Sequence, residues 1–449
     1  MADRSYKLRR LNAFRRSLPH VSASALSSIL DEVVAEGIPE LRSRKHIAAA
    51  TYAAATAMTP YGTIDKVVSL ISITGAPIEM MVASPLALLW KSVKDCKAFS
   101  TMFMNRLAAS PPSPEAPWRL VLYSDEVVPG NPLATDNRRK VWVVYFSFLE
   151  LGPAVLCHEE AWFCVMAKRS HDVNQVSGGM SQVFKAIVKM FFGADIHNLA
   201  TGGMHLTGHD GSSGRLFAHM GMFLQDGGAH KTVWHCKGDA GSKLCMLCRN
   251  LYTQKSQLVA EDGSHMLTCS LIHEADLDFA TDDDIRGSVR RLAVRHATDS
   301  NVVFNQWSMV IGFRHEPNGM LMDPTLDNLV QPATHFCHDW MHAIFVHGVF
   351  NTMVFLVFED LMNSVFRNIW DTMFSYIEAW VFPHRLHSTS LKDVLSRTRA
   401  KSSRKAKFLK CTASEGLSVY PILAFFIQTV VLSCLLHTSD SADDLTVVK

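Results

Sequence analysis

Charge is scarce in this chain. Of its 449 residues, 19% are charged, below the roughly 25% usual for soluble domains. Hydrophobic residues make up 48%, so there is ample core material and no case for wholesale disorder. A secretory signature is lacking too: the N-terminus is basic, but no apolar stretch follows it. The 10 cysteines are unevenly spread, with Cys245 and Cys248 as one tight pair. Without a signal peptide, that pattern favours thiols and metal binding over a disulfide scaffold. No internal repeat is present. The length suggests two or three domains.

The net charge of +2 hides local asymmetry. Residues 1–20 carry Arg4, Lys7, Arg9, Arg10, Arg15 and Arg16 against Asp3, and residues 397–410 carry Arg397, Arg399, Lys401, Arg404, Lys405, Lys407 and Lys410 with no acid. Such blocks attract phosphate backbones, serve as nuclear import signals, or simply form a solvated face. Leu417–Leu436 is uncharged and long enough to span a bilayer. Pro421, Gln428, Ser418 and Ser433 weigh against that. A second apolar region, Ala343–Phe382, is broken by Glu359, Asp360, Arg367, Asp371 and Glu378. The expectation is therefore a buried soluble bundle and no membrane.

Organisation follows composition. Residues 1–110 read as a basic, helical, candidate DNA-binding region, with helices over Ser22–Val34, Arg42–Ala57 and Leu86–Leu107. Residues 111–117 form a linker in which prolines recur and no helix can continue. Strands are expected at Trp118–Ser124, Val141–Leu149 and Ala161–Ala167, a helix at Met180–Phe192, and a fourth strand at Arg215–Leu224, where a helix is the alternative. Three strands, a helix and another strand imply a mixed α/β sheet over 118–249. Residues 250–400 read as a mainly helical insertion, and 401–449 as the last core helix and the C-terminal end.

Two aspartates end expected strands: Asp125 in Tyr123-Ser124-Asp125-Glu126, and Asp226 in Leu224-Gln225-Asp226-Gly227. On neighbouring strands they would share a divalent metal, since Mg²⁺ prefers a few carboxylates plus phosphate oxygens. An aspartate before glycines is also an ordinary turn residue. Cys245-Met246-Leu247-Cys248 has the spacing with which two thiolates reach one tetrahedral zinc. The richest source of partners is His335-Phe336-Cys337-His338-Asp339-Trp340-Met341-His342, where His338 and His342 would share a helix face. Cys236, His235, His265 and Cys269 are possible substitutes.

In this order the motifs resemble the DDE transposases of the CACTA (En/Spm) and Plavaka type. The matching residues are Asp125; Asp226; Lys237-Gly238 followed by Cys245 and Cys248; Asp339-Trp340-Met341-His342; and Ala413-Ser414-Glu415-Gly416. The resemblance covers roughly residues 118–430. It departs where Glu126 stands in place of a frequent glycine, and where no tryptophan follows Glu415. Thr412 to Glu415 also reads as a capping box, which alone would explain the glutamate. Asp239 is the alternative second acid.

The resemblance implies an RNase H-like mixed-sheet core interrupted by a zinc-pinned helical insertion. Asp125, Asp226 and Glu415 would hold two Mg²⁺ ions for DNA strand cleavage and strand transfer. Cys245, Cys248, His338 and His342 would hold a structural Zn²⁺. Arg9, Arg10, Arg15, Arg16, Arg404, Lys405 and Lys407 would contact the DNA of transposon ends. The protein would be nuclear, and a homo-oligomer is compatible with the resemblance. Two other readings remain: a catalytically decayed or domesticated DNA-binding protein with the same fold, and a membrane-anchored protein held by Leu417–Leu436.

Overall fold

Apolar runs become strands here, and the sheet they form dictates where the polar residues go. The computed structural model describes residues 23–36, 43–128, 139–193, 197–243, 245–251, 275, 277–346, 348–364, 366–382 and 388–433. The chain divides into two units, Met1–Asp65 and Lys66–Lys449. The first holds helices α1 (Ala23–Glu36) and α2 (Arg44–Thr56). Ser43 caps α2 by accepting a hydrogen bond from the His46 amide at 3.1 Å.

The second unit opens with a hairpin, which corrects the expectation of helix through this region. β1 (Asp65–Ile71) pairs with β2 (Pro77–Ala83). Val67, Val68 and Ile71 favour strand, and Gly75 supplies the turn at φ 82°. The stretch read as one helix is two, α3 (Pro85–Asp95) and α4 (Lys97–Ala109), because Cys96 between them is extended.

The sheet has five strands: β3 (Trp118–Val127), β4 (Val141–Phe148), β5 (Phe163–Arg169), β8 (Ala218–Gln225) and β9 (Phe336–His338). β6 (Met204–Thr207) and β7 (Ser213–Leu216) form a separate antiparallel pair. In the large sheet the order is β5-β4-β3-β8-β9. β4 runs antiparallel to β3 and to β5, whereas β8 is parallel to β3 and β9 is parallel to β8. The fold is thus mixed α/β.

One face of this sheet is fully covered. Leu120, Leu122, Phe146, Phe148 and Phe223 are buried beneath α4 and α5 (Gly179–Phe192). Helix α5 shows why: Met180, Val183, Phe184, Ile187, Val188 and Phe191 recur at helical spacing and are all buried. Phe184 meets Phe223 with ring centroids 5.9 Å apart, and Phe191 meets Phe146 at 5.1 Å. Each such side chain contributes roughly 1.5–3 kcal/mol.

Between β8 and β9 come α6 (Gly227–Val233), α7 (Asp282–Thr298) and α8 (Asn301–Ile311). Thr281 and Asp284 form a capping box at the start of α7. From α7, Asp282 accepts hydrogen bonds from the Ala333 amide at 2.7 Å and the Thr334 hydroxyl at 2.7 Å. Arg286 donates to the Val330 carbonyl at 2.6 Å. These contacts brace the segment that leads into β9.

After β9 the chain is helical: α9 (Trp340–Phe345), α10 (Val349–Ser364), α11 (Ile369–Glu378), α12 (Ser388–Asp393), α13 (Arg397–Ala406) and α14 (Ala413–Phe426). They share their own core, with Phe358, Ile369, Met373, Val394, Leu409, Val419 and Phe426 fully buried. Helix α14, read from the sequence as the last helix of the sheet core, packs elsewhere. Its buried residues belong instead to this helical core, and Leu417, Tyr420 and Phe425 are exposed. The stretches Trp340–Ser364 and Ala413–Val431 meet the length and apolarity of a membrane-crossing helix, and are 29% and 33% buried.

Helix α6 is fastened to β9 through His230. Its ring stacks on Phe336 at 3.9 Å and meets His338 edge-on at 4.6 Å. Neither ring nitrogen has a hydrogen-bond partner among the described residues. Burial and the neighbouring His338 push the His230 pKa down to about 3. The unfolded chain therefore takes up this proton first, and stability is lost as pH falls from about 6.5 towards 3. His230→Phe keeps the stacking and removes that proton. Urea midpoints measured across pH should fall less steeply below 6.5 in this variant; an unchanged slope refutes the role given to His230.

Candidate functional site

Three strand segments share a pattern. Leu122-Tyr123-Ser124-Asp125 closes the part of β3 that pairs with β8, while β3 itself runs on to Val127 beside β4; Phe223-Leu224-Gln225-Asp226 closes β8, and Phe336-Cys337-His338-Asp339 closes β9. Because the strands are parallel neighbours, the register aligns them: Tyr123 lies opposite Leu224, and Leu224 opposite Cys337. Two residues on from that row, one pleat further on the same face, stand Asp125, Asp226 and Asp339. The sheet thus presents a row of aspartates at one edge.

Each acid is held by its own neighbourhood. Asp125 accepts a hydrogen bond from the Tyr123 hydroxyl at 3.3 Å. Asp226 caps α6 by accepting from the Ala229 amide at 2.5 Å. Asp339 caps α9, accepting from the Met341 amide at 2.9 Å, and its second oxygen lies 2.6 Å from His342 Nδ1. Beneath the row, Gln225 donates to Ser124 at 2.9 Å and accepts from Trp234 Nε1 at 3.0 Å, all buried.

The electrostatics show the acids sensing each other. Burial, then the charge of Asp226, raise the Asp125 carboxyl above its ordinary range, against lowering contributions that include His342. The Tyr123 phenol is pushed far up by burial and by Asp125, Asp339 and Asp226 together. His338, whose pKa burial lowers, feels both Asp226 and Asp339.

The other expected residues are placed as follows. Glu415 closes the capping box: Oε2 accepts from the Thr412 amide at 2.8 Å, while Oε1 pairs with Arg399 at 3.2 Å. It thus ties the start of α14 to Arg399 of α13. Asp239 sits on the 3-10 turn Gly238–Ala240, past the helix that follows β8.

Cys245 and Cys248 approach with sulfurs 3.2 Å apart. His338 and His342 do not join them. His338 belongs to β9 and His342 to α9, and the cap at Asp339 separates them, so they share no helix face. Pairing of β9 with β8 draws both histidines to the acid row instead. Among the described residues no group of three or more His, Cys, Asp or Glu stands together as a metal site, and this holds for Asp125, Asp226 and Asp339 as it does for the expected zinc tetrad. Cys236 lies near enough for Cys245 to act on it, and its thiol is pushed up to about 11, mainly by burial. His265 and Cys269 lie outside the described residues.

Of the cationic residues expected to meet DNA, Arg9, Arg10, Arg15 and Arg16 lie outside the described residues. Arg404 pairs with Glu359 at 2.9 Å, and Arg397 with Asp371 at 3.0 Å. Lys405 and Lys407 are exposed at the end of α13.

Comparison with protein-family models and with curated protein sequences gives no match. The chemistry therefore rests on the acid row itself. Asp125 and Asp226 offer hard oxygen donors of the kind that suit Mg²⁺ with phosphate oxygens, and a divalent cation would relieve the repulsion that raises Asp125. Because its folded-state pKa lies above the unfolded value, ionised Asp125 destabilises the fold at neutral pH. That penalty fades as pH falls through the raised value towards 3.8. Asp125→Asn is expected to stabilise the metal-free protein at neutral pH by roughly 0.5–2 kcal/mol. Mg²⁺ should raise the thermal midpoint of the parent and not of the variant. Equal Mg²⁺ shifts in both proteins would remove Asp125 from the cation site.

Proposed function

We propose that this chain derives from a DDE-type DNA transposase and that the acid row performs metal-dependent phosphodiester chemistry on DNA. The observation that carries this is the alignment of Asp125, Asp226 and Asp339 at one edge of three adjacent parallel strands. The RNase H-like reading is supported by the mixed five-stranded sheet, with the first acid on its central strand and a helical segment inserted between β8 and β9. The order of motifs that resembles CACTA and Plavaka transposases points the same way.

In this reading Asp125 and Asp226 hold divalent cations, and Asp339 replaces Glu415 as the third acid. The cations, when bound, lower the pKa of an attacking water or 3′-hydroxyl and stabilise the departing oxygen. Tyr123, kept protonated, donates to Asp125 and fixes its orientation. His342 fixes Asp339 in the same manner. The buried Gln225 holds the strand ends in register beneath them. Lys405, Lys407 and the N-terminal arginines supply sequence-independent phosphate contacts, with salt-sensitive affinity. A structural zinc, if present, rests on Cys245 and Cys248, with Cys236 as the nearest further thiol. The site of action would be the nucleus and the partner DNA at transposon ends.

A second reading has its own observation. The exposed Leu417, Tyr420 and Phe425 on α14 suit a membrane-associated protein. Partition of the full chain into detergent, or its resistance to carbonate extraction, would favour that reading over the nuclease.

Plasmid nicking in Mg²⁺ tests the proposal. Asp125→Asn and Asp226→Asn should each lose at least about a hundredfold in rate, and Asp339→Asn should be similarly impaired. Glu415→Gln should stay within about twofold of the parent, because the cap survives. If Glu415→Gln is inactive while Asp339→Asn cleaves normally, the third acid is Glu415 and the strand-row assignment is wrong. A parent that binds DNA without cleaving it is the decayed form of the fold.

A further inference from the structure

A cavity of 520 Å³ opens beside the acid row, lined by Tyr123, Tyr145, Trp162, Leu224 and Glu159. Its floor is the row of cross-strand neighbours one pleat before the acids: Tyr145 lies opposite Tyr123, and Tyr123 opposite Leu224. The rings of Tyr123 and Tyr145 are 6.3 Å apart, and Trp162 meets Tyr123 edge-on at 6.4 Å. Trp162 is held in place because its indole N–H donates to the Leu156 carbonyl at 2.9 Å. These side chains are only half-buried, while the opposite face of the same sheet is sealed. A concave group of rings left open to water, within the roughly 300–1,000 Å³ of ligand pockets, marks a binding site.

The walls specify what fits. Flat aromatic faces select a planar ring, which they bind by stacking. Glu159 accepts hydrogen bonds, so it suits a ring that carries an amino group. Tyr123 belongs to both places: its ring lines the cavity and its hydroxyl donates to Asp125. A strand with a phosphate at Asp125 therefore has an adjoining base within reach of the cavity. We propose that this cavity takes an unstacked nucleobase of the DNA strand whose phosphodiester lies on the acid row. The inference rests on the nuclease reading, and it adds an anchor that distinguishes unpaired from paired DNA, because a base must leave its stack to enter.

Fluorescence anisotropy of the full chain tests this with two labelled single strands of 12 nucleotides, oligo-dC and an abasic chain with the same phosphates. Calcium replaces magnesium, since it takes the same oxygen donors with looser geometry. The parent should bind oligo-dC about tenfold more tightly than the abasic chain, as one stacked base is worth roughly 1–3 kcal/mol. Trp162→Ala and Tyr145→Ala should each lose most of that preference and keep their affinity for the abasic chain. Trp162→Phe, which retains a ring, should keep most of the preference. Equal binding of the two strands by the parent overturns the proposal, as does an undiminished preference in Trp162→Ala. Free dCMP that displaces the strand at micromolar concentration would make the cavity a mononucleotide site and also overturn it. Loss of the preference alongside intact nicking of duplex DNA leaves the nuclease standing. A preserved preference in a chain that never cleaves removes the nuclease and leaves the base site.

Discussion

Parallel pairing of β3 with β8, and of β8 with β9, sets the register on which the site depends. Side chains alternate along a strand, so a slip of one residue would send an aspartate to the opposite face. The slip is resisted from below. Gln225 is fully buried and satisfied from both sides, by Ser124 on β3 and by Trp234 at the end of α6. Shifting β8 against β3 would strand a buried amide, at a cost of roughly 1–3 kcal/mol. The side chains one position before Asp125 and Asp226 thus keep the acids facing the same way.

The two faces of the sheet have opposite characters for a physical reason. One is closed by α4 and α5 and contributes stability through Phe146, Phe184, Phe191 and Phe223. The other keeps like charges close together beside half-exposed aromatic rings. Each of those features is unfavourable in isolation, and their clustering on one rim is the pattern of a site maintained for chemistry rather than for folding.

Much of the sheet could be read beforehand, because Trp118–Ser124, Val141–Leu149 and Ala161–Ala167 are short, largely apolar runs rich in β-formers. The capping box at Thr412 and Glu415 was equally readable, since it depends on local chemistry alone. What escaped depended on distant partners. β9 has only three residues, among histidines that suggested metal ligands, and it becomes a strand because β8 offers an edge to pair with. The grouping of His338 and His342 with Cys245 and Cys248 failed for the same reason. One sequence signal for the third acid did exist: an apolar residue three positions before an aspartate recurs at Leu122, Phe223 and Phe336. The hairpin of Asp65–Ile71 and Pro77–Ala83 was hidden in a region whose alanine-rich neighbours favour helix. Helix α14 was apolar enough for either core, and composition could not say which one it would join.

Asp339 arrives at the edge from over a hundred residues further along the chain than Gln225, on a strand of three residues. Closing so long a loop costs entropy that so short a ladder cannot repay by itself. The balance comes from Asp282 and Arg286 of α7, which grip the lead-in to β9, and from His230 stacked on Phe336. Both joints of the row are non-local, since Trp118 pairs with Ala218 and Phe223 with Phe336, but only the second rests on a strand of three residues. Any sequence change that loosens α7, far from the acids themselves, withdraws Asp339 first and leaves Asp125 and Asp226 in place.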